Sequence, residues 1–142
     1  MKIRIQDNSI RLRLTLREIE SFAEQGLIER SMQVVMPDGL GPTFQYRLEC
    51  DSSLSDSRVR IDERCISVQL CRTDRDALIQ PDQEGVYIRR EWKSPDGTSH
   101  RFMAFVEKDR PGSTCIKKEQ WIYDVSRQGE VETRPIPALA RR

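Results

Sequence analysis

Apolar and polar residues alternate from the first positions of the chain. Ile3 and Ile5 are interleaved with Lys2 and Arg4, Asp7-Asn8 follow as turn residues, and Ile10, Leu12 and Leu14 are interleaved with Arg11 and Arg13. A period of two on either side of a two-residue turn predicts a hairpin that is apolar on one face. The period then lengthens, so that Leu16, Ile19, Phe22 and Ala23 fall on one side of a helix. Thr15 followed by Glu18 forms a capping box for its first turn, and Gly26 can take the left-handed conformation that closes it. Two more strands are expected at about Leu27 to Val35 and Phe44 to Cys50, joined by a loop containing Pro37-Asp38-Gly39, with Phe44, Tyr46 and Leu48 facing the core.

The same plan begins again 56 positions further on, where Val59, Ile61, Ile66, Val68 and Leu70 repeat Ile3, Ile5, Ile10, Leu12 and Leu14. Thr73 to Gln80 occupies the helix slot, with Ala77 and Leu78 as its apolar side and Pro81 as its stop. Gly85 to Lys93 reads as a strand, Pro95-Asp96-Gly97 repeats the loop tripeptide at a displacement of 58, and Phe102, Ala104 and Val106 repeat Phe44, Tyr46 and Leu48. Glu107 and Asp109 repeat Glu49 and Asp51 at the same displacement. This ordered series predicts an internally duplicated α+β domain of two strand-strand-helix-strand-strand units, repeat one at 1–51 and repeat two at 57–109. Its eight strands, mostly antiparallel, would form either a closed barrel or a two-layer sandwich with two helices. Residues 110–142 read as an extension, with a hairpin from Gln120 to Val125 and Val131 to Ile136 about Gln128-Gly129, and a frayed end.

Composition narrows the classes. The 24 basic and 23 acidic residues of the 142 nearly cancel, so no global field draws the chain onto nucleic acid or an anionic membrane. No apolar run approaches a membrane span and the start is a charged alternation, so a cytoplasmic protein is expected. Cys50, Cys65, Cys71 and Cys115 form no CxxC pair, and Cys65 and Cys71, read as one strand, lie too far apart to share an ion. They read as reduced structural thiols, with no metal and no cofactor implied. His100 follows Pro95-Asp96-Gly97-Thr98-Ser99 and reads as a solvated loop histidine, too isolated to activate a nucleophile.

The strand register places Arg4, Arg11, Arg13, Arg47, Arg58 and Arg60, with Glu49, Gln69 and Glu107, on the side opposite the apolar one. On an open sheet that is simply the solvated face, whereas in a closed barrel it becomes a lumen able to hold phosphate or carboxylate. Such a barrel is similar to the triphosphate tunnel enzymes, whose metal-bound carboxylates alternate along the first strand. Here that strand reads Lys2-Ile3-Arg4-Ile5 and lacks those ligands. Trp92 and Trp121 stand out among few aromatics, and Trp121-Ile122-Tyr123 reads either as core cover or as an anchor for a protein partner, with Trp121 and Tyr123 as contacts.

Lys2-Ile3-Arg4-Ile5, Asn8 to Thr15, Phe22, Gly26, the Phe44, Tyr46, Leu48 series and Glu107-Lys108-Asp109 resemble an uncharacterised family of small bacterial proteins, a domain of unknown function. The resemblance spans Met1 to Asp109 and is most specific at the N-terminal segment; after Asp109 the chain departs from it, with a later Cys115 and a basic or mixed tail. It implies a lineage and no activity. The expected function is a non-enzymatic binding or interaction protein, taking an anionic ligand on the Arg-rich face or a protein partner, with a homodimer left open. A phosphate-ester enzyme with a charged tunnel is the alternative.

Overall fold

A computed structural model describes residues 1–109. Strands β1 (Lys2–Gln6) and β2 (Ser9–Leu14) are joined by a two-residue turn in which Asp7 adopts φ 48°. Helix α1 (Leu16–Gln25) follows, and Gly26 closes it with φ 69° while its amide donates to the Phe22 carbonyl at 2.9 Å. Strands β3 (Leu27–Met36) and β4 (Gly39–Cys50) come next, then β5 (Arg58–Ile61), β6 (Cys65–Leu70), helix α2 (Arg72–Ile79), β7 (Gly85–Lys93) and β8 (Ser99–Lys108). Strand β4 starts at Gly39 rather than Phe44, so most of the expected loop is hairpin strand. His100 is on β8 rather than in a loop, beside Trp92 at 5.4 Å between ring centroids. Cys65 and Cys71 do not share a strand: Cys65 opens β6 and Cys71 caps α2. The hairpin expected beyond Gln120, with Trp121, Tyr123 and Cys115, lies outside the described residues.

The strands form two four-stranded sheets, in the orders β1-β2-β8-β7 and β3-β4-β6-β5. The closed barrel is therefore excluded for the described residues. Its physical obstacle is the pairing: β1, β7, β3 and β5 are left as edges, while the four strands between them pair in two parallel couples, β2 with β8 and β4 with β6. The outer pairings are antiparallel. Each sheet thus combines one hairpin from each half of the chain, and α1 and α2 carry the chain from one sheet to the other.

The alternation read along each strand determines what is buried. Ile10, Leu12 and Leu14 on β2, Leu48 on β4, Ile66, Val68 and Leu70 on β6, Val86 and Ile88 on β7, and Ala104 and Val106 on β8 form one core with Ile19 and Phe22 of α1 and Leu78 of α2. Register makes neighbours of Leu12 and Val106 in one sheet and of Leu48 and Val68 in the other. Each fully buried Leu or Phe contributes about 1.5–3 kcal/mol. The polar side chains alternate away from this core.

The two helices begin in chemically different ways. Thr15 Oγ1 accepts from the Glu18 amide at 3.3 Å, and the Glu18 carboxylate accepts from the Thr15 amide at 3.0 Å. The Met1 amino group and Arg30 Nη2, the latter at 2.8 Å, also donate to Glu18. At α2 the N-cap is Cys71, whose side chain makes no capping bond. Ser57 holds this helix start from another segment: its hydroxyl accepts from the amide of Cys71 itself at 2.9 Å and donates to Asp74 Oδ2 at 2.5 Å. Ser57 and Asp74 stand 56 positions after Met1 and Glu18, so a hydroxyl at one helix start occupies the role of an amine at the other.

Burial pushes the Glu18 carboxyl up, but hydrogen bonds from the Met1 amine, the Thr15 amide and Arg30 outweigh it and lower its pKa to about 2. Because the folded value lies below the ordinary 4.5, this contribution is fully present above pH 4.5 and is lost as the pH falls toward 2. Glu18→Gln is expected to destabilise the protein by about 1–3 kcal/mol at neutral pH, and its thermal unfolding curve should converge on that of the parent as pH approaches 2. Ser57→Ala should cost about 1–3 kcal/mol in urea unfolding, the value of leaving the buried Cys71 amide without its acceptor.

Candidate functional site

Three of the sequence-selected arginines lie on the polar face of the β1-β2-β8-β7 sheet. Arg4 is opposite Arg11, Arg11 is beside Phe105, and Arg13 is beside Glu107. Glu107 Oε2 is 3.8 Å from Arg11 Nε and 3.9 Å from Arg13 Nε, so one carboxylate is shared by two guanidinium groups. Arg11 also lies over the Phe105 ring, 5.0 Å from its centroid, and Phe105 meets Tyr87 edge to face at 5.7 Å. Arg4 Nη2 donates to Gln6 Oε1 at 2.8 Å. Arg11 and Glu107 are only 7% and 3% exposed, which makes their pairing a condition of stability as well as of charge balance.

Arg47, Arg58 and Arg60 lie on the polar face of the other sheet, and the charges there are tied together laterally. Arg58 Nε donates to Gln69 Oε1 at 2.7 Å, Gln69 Nε2 donates to Glu49 Oε1 at 2.7 Å, and Ser67 Oγ donates to the same oxygen at 2.6 Å. Arg47 completes the row, with Nε 3.4 Å from Ser67 Oγ and ion pairs at 3.9 Å to Glu29 and Glu49. Burial raises the Glu49 pKa, but the Ser67 and Gln69 hydrogen bonds and the Arg47 charge outweigh it and hold the carboxyl below its ordinary range. The Cys65 thiol is pushed up chiefly by burial, which disfavours the reactive thiolate. Among the described residues no three His, Cys, Asp or Glu side chains gather as a metal-binding group.

A different surface stands out at the β3–β4 hairpin. Strand β6 pairs with β4 only from Gln45 to Cys50, so Met32 to Met36 and Gly39 to Phe44 run on as a two-stranded arm. Met32, Val34, Val35, Met36 and Leu40 on this arm are between 37% and 77% exposed. Gln33 is opposite Thr43 and Val35 opposite Leu40, so β4 carries one extra residue at Gly41-Pro42. Gln33 braces the bulge by donating to the Gly41 carbonyl at 2.5 Å and accepting from the Thr43 hydroxyl at 2.7 Å. A Cβ at Gly41 would meet Met36 Sδ at 2.9 Å, so a larger residue there would push the flexible Met36 side chain aside. The matching arm of β7 and β8 is charged instead: Glu91 accepts from Arg89 at 2.5 Å and from Arg101 at 2.9 Å beside exposed Trp92.

The six arginines therefore divide three and three between two sheets, where a barrel lumen would have collected them all; a charged tunnel has no place in the described fold. Trp121 and Tyr123 are outside the described residues. The apolar arm escaped the sequence reading, although a signal was present: Val34-Val35-Met36 breaks the period of two, so one strand face cannot bury all three.

Taken together, the fold is an α+β arrangement of two mostly antiparallel four-stranded sheets and two helices, with lateral charge networks on the polar faces and one apolar arm. The chain belongs to a family of unknown function, DUF7009, whose model matches residues 1–131 and so extends past Asp109, where the resemblance read from the residues ended. No curated protein and no solved structure matches it.

The buried pair on the first sheet makes a sharp energetic expectation. Glu107→Ala should destabilise the protein by about 3–5 kcal/mol, since it removes the carboxylate nearest to the buried Arg11. The apolar double replacement Arg11→Met with Glu107→Leu should cost less than Glu107→Ala alone. Equilibrium urea unfolding of the two variants makes the comparison.

Proposed function

We propose that this protein is a non-enzymatic interaction protein whose contact surface is the β3–β4 arm. The observation that carries this reading is the concentration of Met32, Val34, Val35, Met36 and Leu40 on one projecting hairpin, all in water. Exposed apolar side chains gathered on one element are costly to keep and mark a place where another surface docks. The element order shared by residues 1–51 and 57–109 supports an internal duplication in which only the first copy's arm became apolar. The same residues form the functional unit in this reading, with 110–142 as an extension that adds Trp121 and Tyr123 as further contacts. No described helix is long and apolar enough to cross a membrane, which is compatible with a cytoplasmic location.

A photo-crosslinking amino acid at Val35, tested in cells producing the full chain, should give covalent protein adducts. The same residue placed at Ile61, which is 62% exposed on the short β5 edge, should give far fewer. Equal yields at the two positions would remove the special standing of the arm.

A second reading keeps an anionic ligand on the Arg-rich faces, supported by the gathering of Arg4, Arg11 and Arg13 on one face of a single hairpin. Arg4, Arg11 and Arg13 form its first candidate site and Arg47, Arg58 and Arg60 its second. A ligand selective for the folded state raises the melting temperature, so pyrophosphate or triphosphate, with and without Mg²⁺, should do so in a thermal-shift assay. An unchanged melting temperature at millimolar ligand counts against this reading.

A further inference from the structure

Two of the chain's four methionines, Met32 and Met36, lie on the apolar arm and are 54% and 48% exposed. Met1 and Met103 are partly buried, and Met1 packs against the core. Because the bulge of the arm is in β4, β3 alternates without interruption, and Met32, Val34 and Met36 share one face. Neither burial nor strand propensity explains methionine there: exposed strand positions favour polar residues, and strands as a class favour β-branched and aromatic ones. The framework does not require it either, since the positions 58 further on are Arg90 and Ser94. What methionine adds to this surface is chemistry, because among Val, Leu and Met side chains only the thioether is converted by a mild oxidant into a polar group.

We infer, on the basis of the interaction reading above, that Met32 and Met36 are modification sites for peroxide and that their oxidation switches the arm's contact surface off. At each site a sulfur lone pair attacks hydrogen peroxide: an S–O bond forms, the O–O bond breaks, and the second oxygen leaves as water with both protons. The sulfur is oxidised by two electrons to the sulfoxide, and the peroxide is reduced by the same two. A dithiol-dependent sulfoxide reductase returns the thioether, the dithiol becoming a disulfide and the oxygen leaving as water. The sulfoxide oxygen is a polar acceptor that holds water, so a partner surface covering it must strip that water away. Val34 lies between the two methionines on their face, so both ends of the apolar stretch turn polar, while neither methionine belongs to the buried core. Cys65 and Cys71 are buried and Cys50 is half-buried, which leaves the arm as the exposed sulfur of the described residues.

Brief treatment of the purified full chain with hydrogen peroxide, followed by peptide mass spectrometry, should add one oxygen to Met32 and to Met36 well before Met1 or Met103. With the photo-crosslinker at Val35 and the peroxide then removed, the oxidised chain should give about tenfold fewer adducts in cell extract than the untreated chain. Its melting temperature should not change, and sulfoxide reductase should restore the yield. The double variant Met32→Leu with Met36→Leu keeps the surface apolar and cannot form a sulfoxide, so its adducts should survive the same treatment. Oxidation no faster on the arm than at Met1 and Met103 overturns the inference, as do adducts that persist on the oxidised chain or that disappear equally in the leucine variant. Adducts from the untreated chain keep the interaction reading standing in each of these cases, whereas their absence overturns both.

Discussion

The parallel pairing of β2 with β8 and of β4 with β6 is the constraint on which the rest of the molecule depends. A two-stranded hairpin with one apolar face cannot bury that face and is marginal by itself. Joining a hairpin from each half makes four-stranded sheets and places Leu12 beside Val106 and Leu48 beside Val68, with Phe22 and Leu78 closing the core. Ile10 meets Ala104 across 94 intervening steps of the chain, so the first sheet forms only when the N-terminal hairpin finds the last one. Such long-range closure loses chain entropy before apolar burial offsets it, which ties the stability of either half to the presence of the other.

That pairing also distributes the charge. With apolar side chains committed to a single core, the alternate positions turn polar, and those on the central strands of each sheet are hemmed in by neighbours on both sides. Arg11 and Glu107 are buried there and pair with each other, with Arg13 sharing the carboxylate. On the second sheet the same problem is solved by a hydrogen-bonded row from Arg58 through Gln69, Glu49 and Ser67 to Arg47. Both arrangements neutralise arginine laterally, within the sheet. This weakens the case that the arginines exist mainly to bind an external anion.

The central pairing is shorter than the hairpins it joins, and the excess length becomes the two arms. Both arms follow from the same geometry, yet their side chains differ in kind. Around Glu91 the β7–β8 arm carries its own ion pairs, which suits an exposed ribbon. The β3–β4 arm carries Met, Val and Leu in the equivalent region, where water is a poor environment for them. A symmetric framework thereby presents an asymmetric surface, and the apolar arm is the feature the core does not explain.

Much of this was legible in the chain because it is local. The alternation of Ile10, Leu12 and Leu14 with Arg11 and Arg13 specifies a face, the Thr15 and Glu18 pair starts a helix, and Gly26 ends it, since each depends on neighbours a few residues away. The same locality put Arg4, Arg11 and Arg13 on one face, as they belong to one hairpin. Which strands become neighbours is a different matter, because a period of two states what is buried without stating beside what. Only the tertiary structure decided that two sheets form instead of a barrel, that Arg47 joins Arg58 and Arg60 while Glu107 joins Arg11, and that Ser57 holds the Cys71 amide at the start of α2. It also decided the exposure of Met32 to Leu40, which turns on the length of β6 and so on a strand that the hairpin's own residues do not encode.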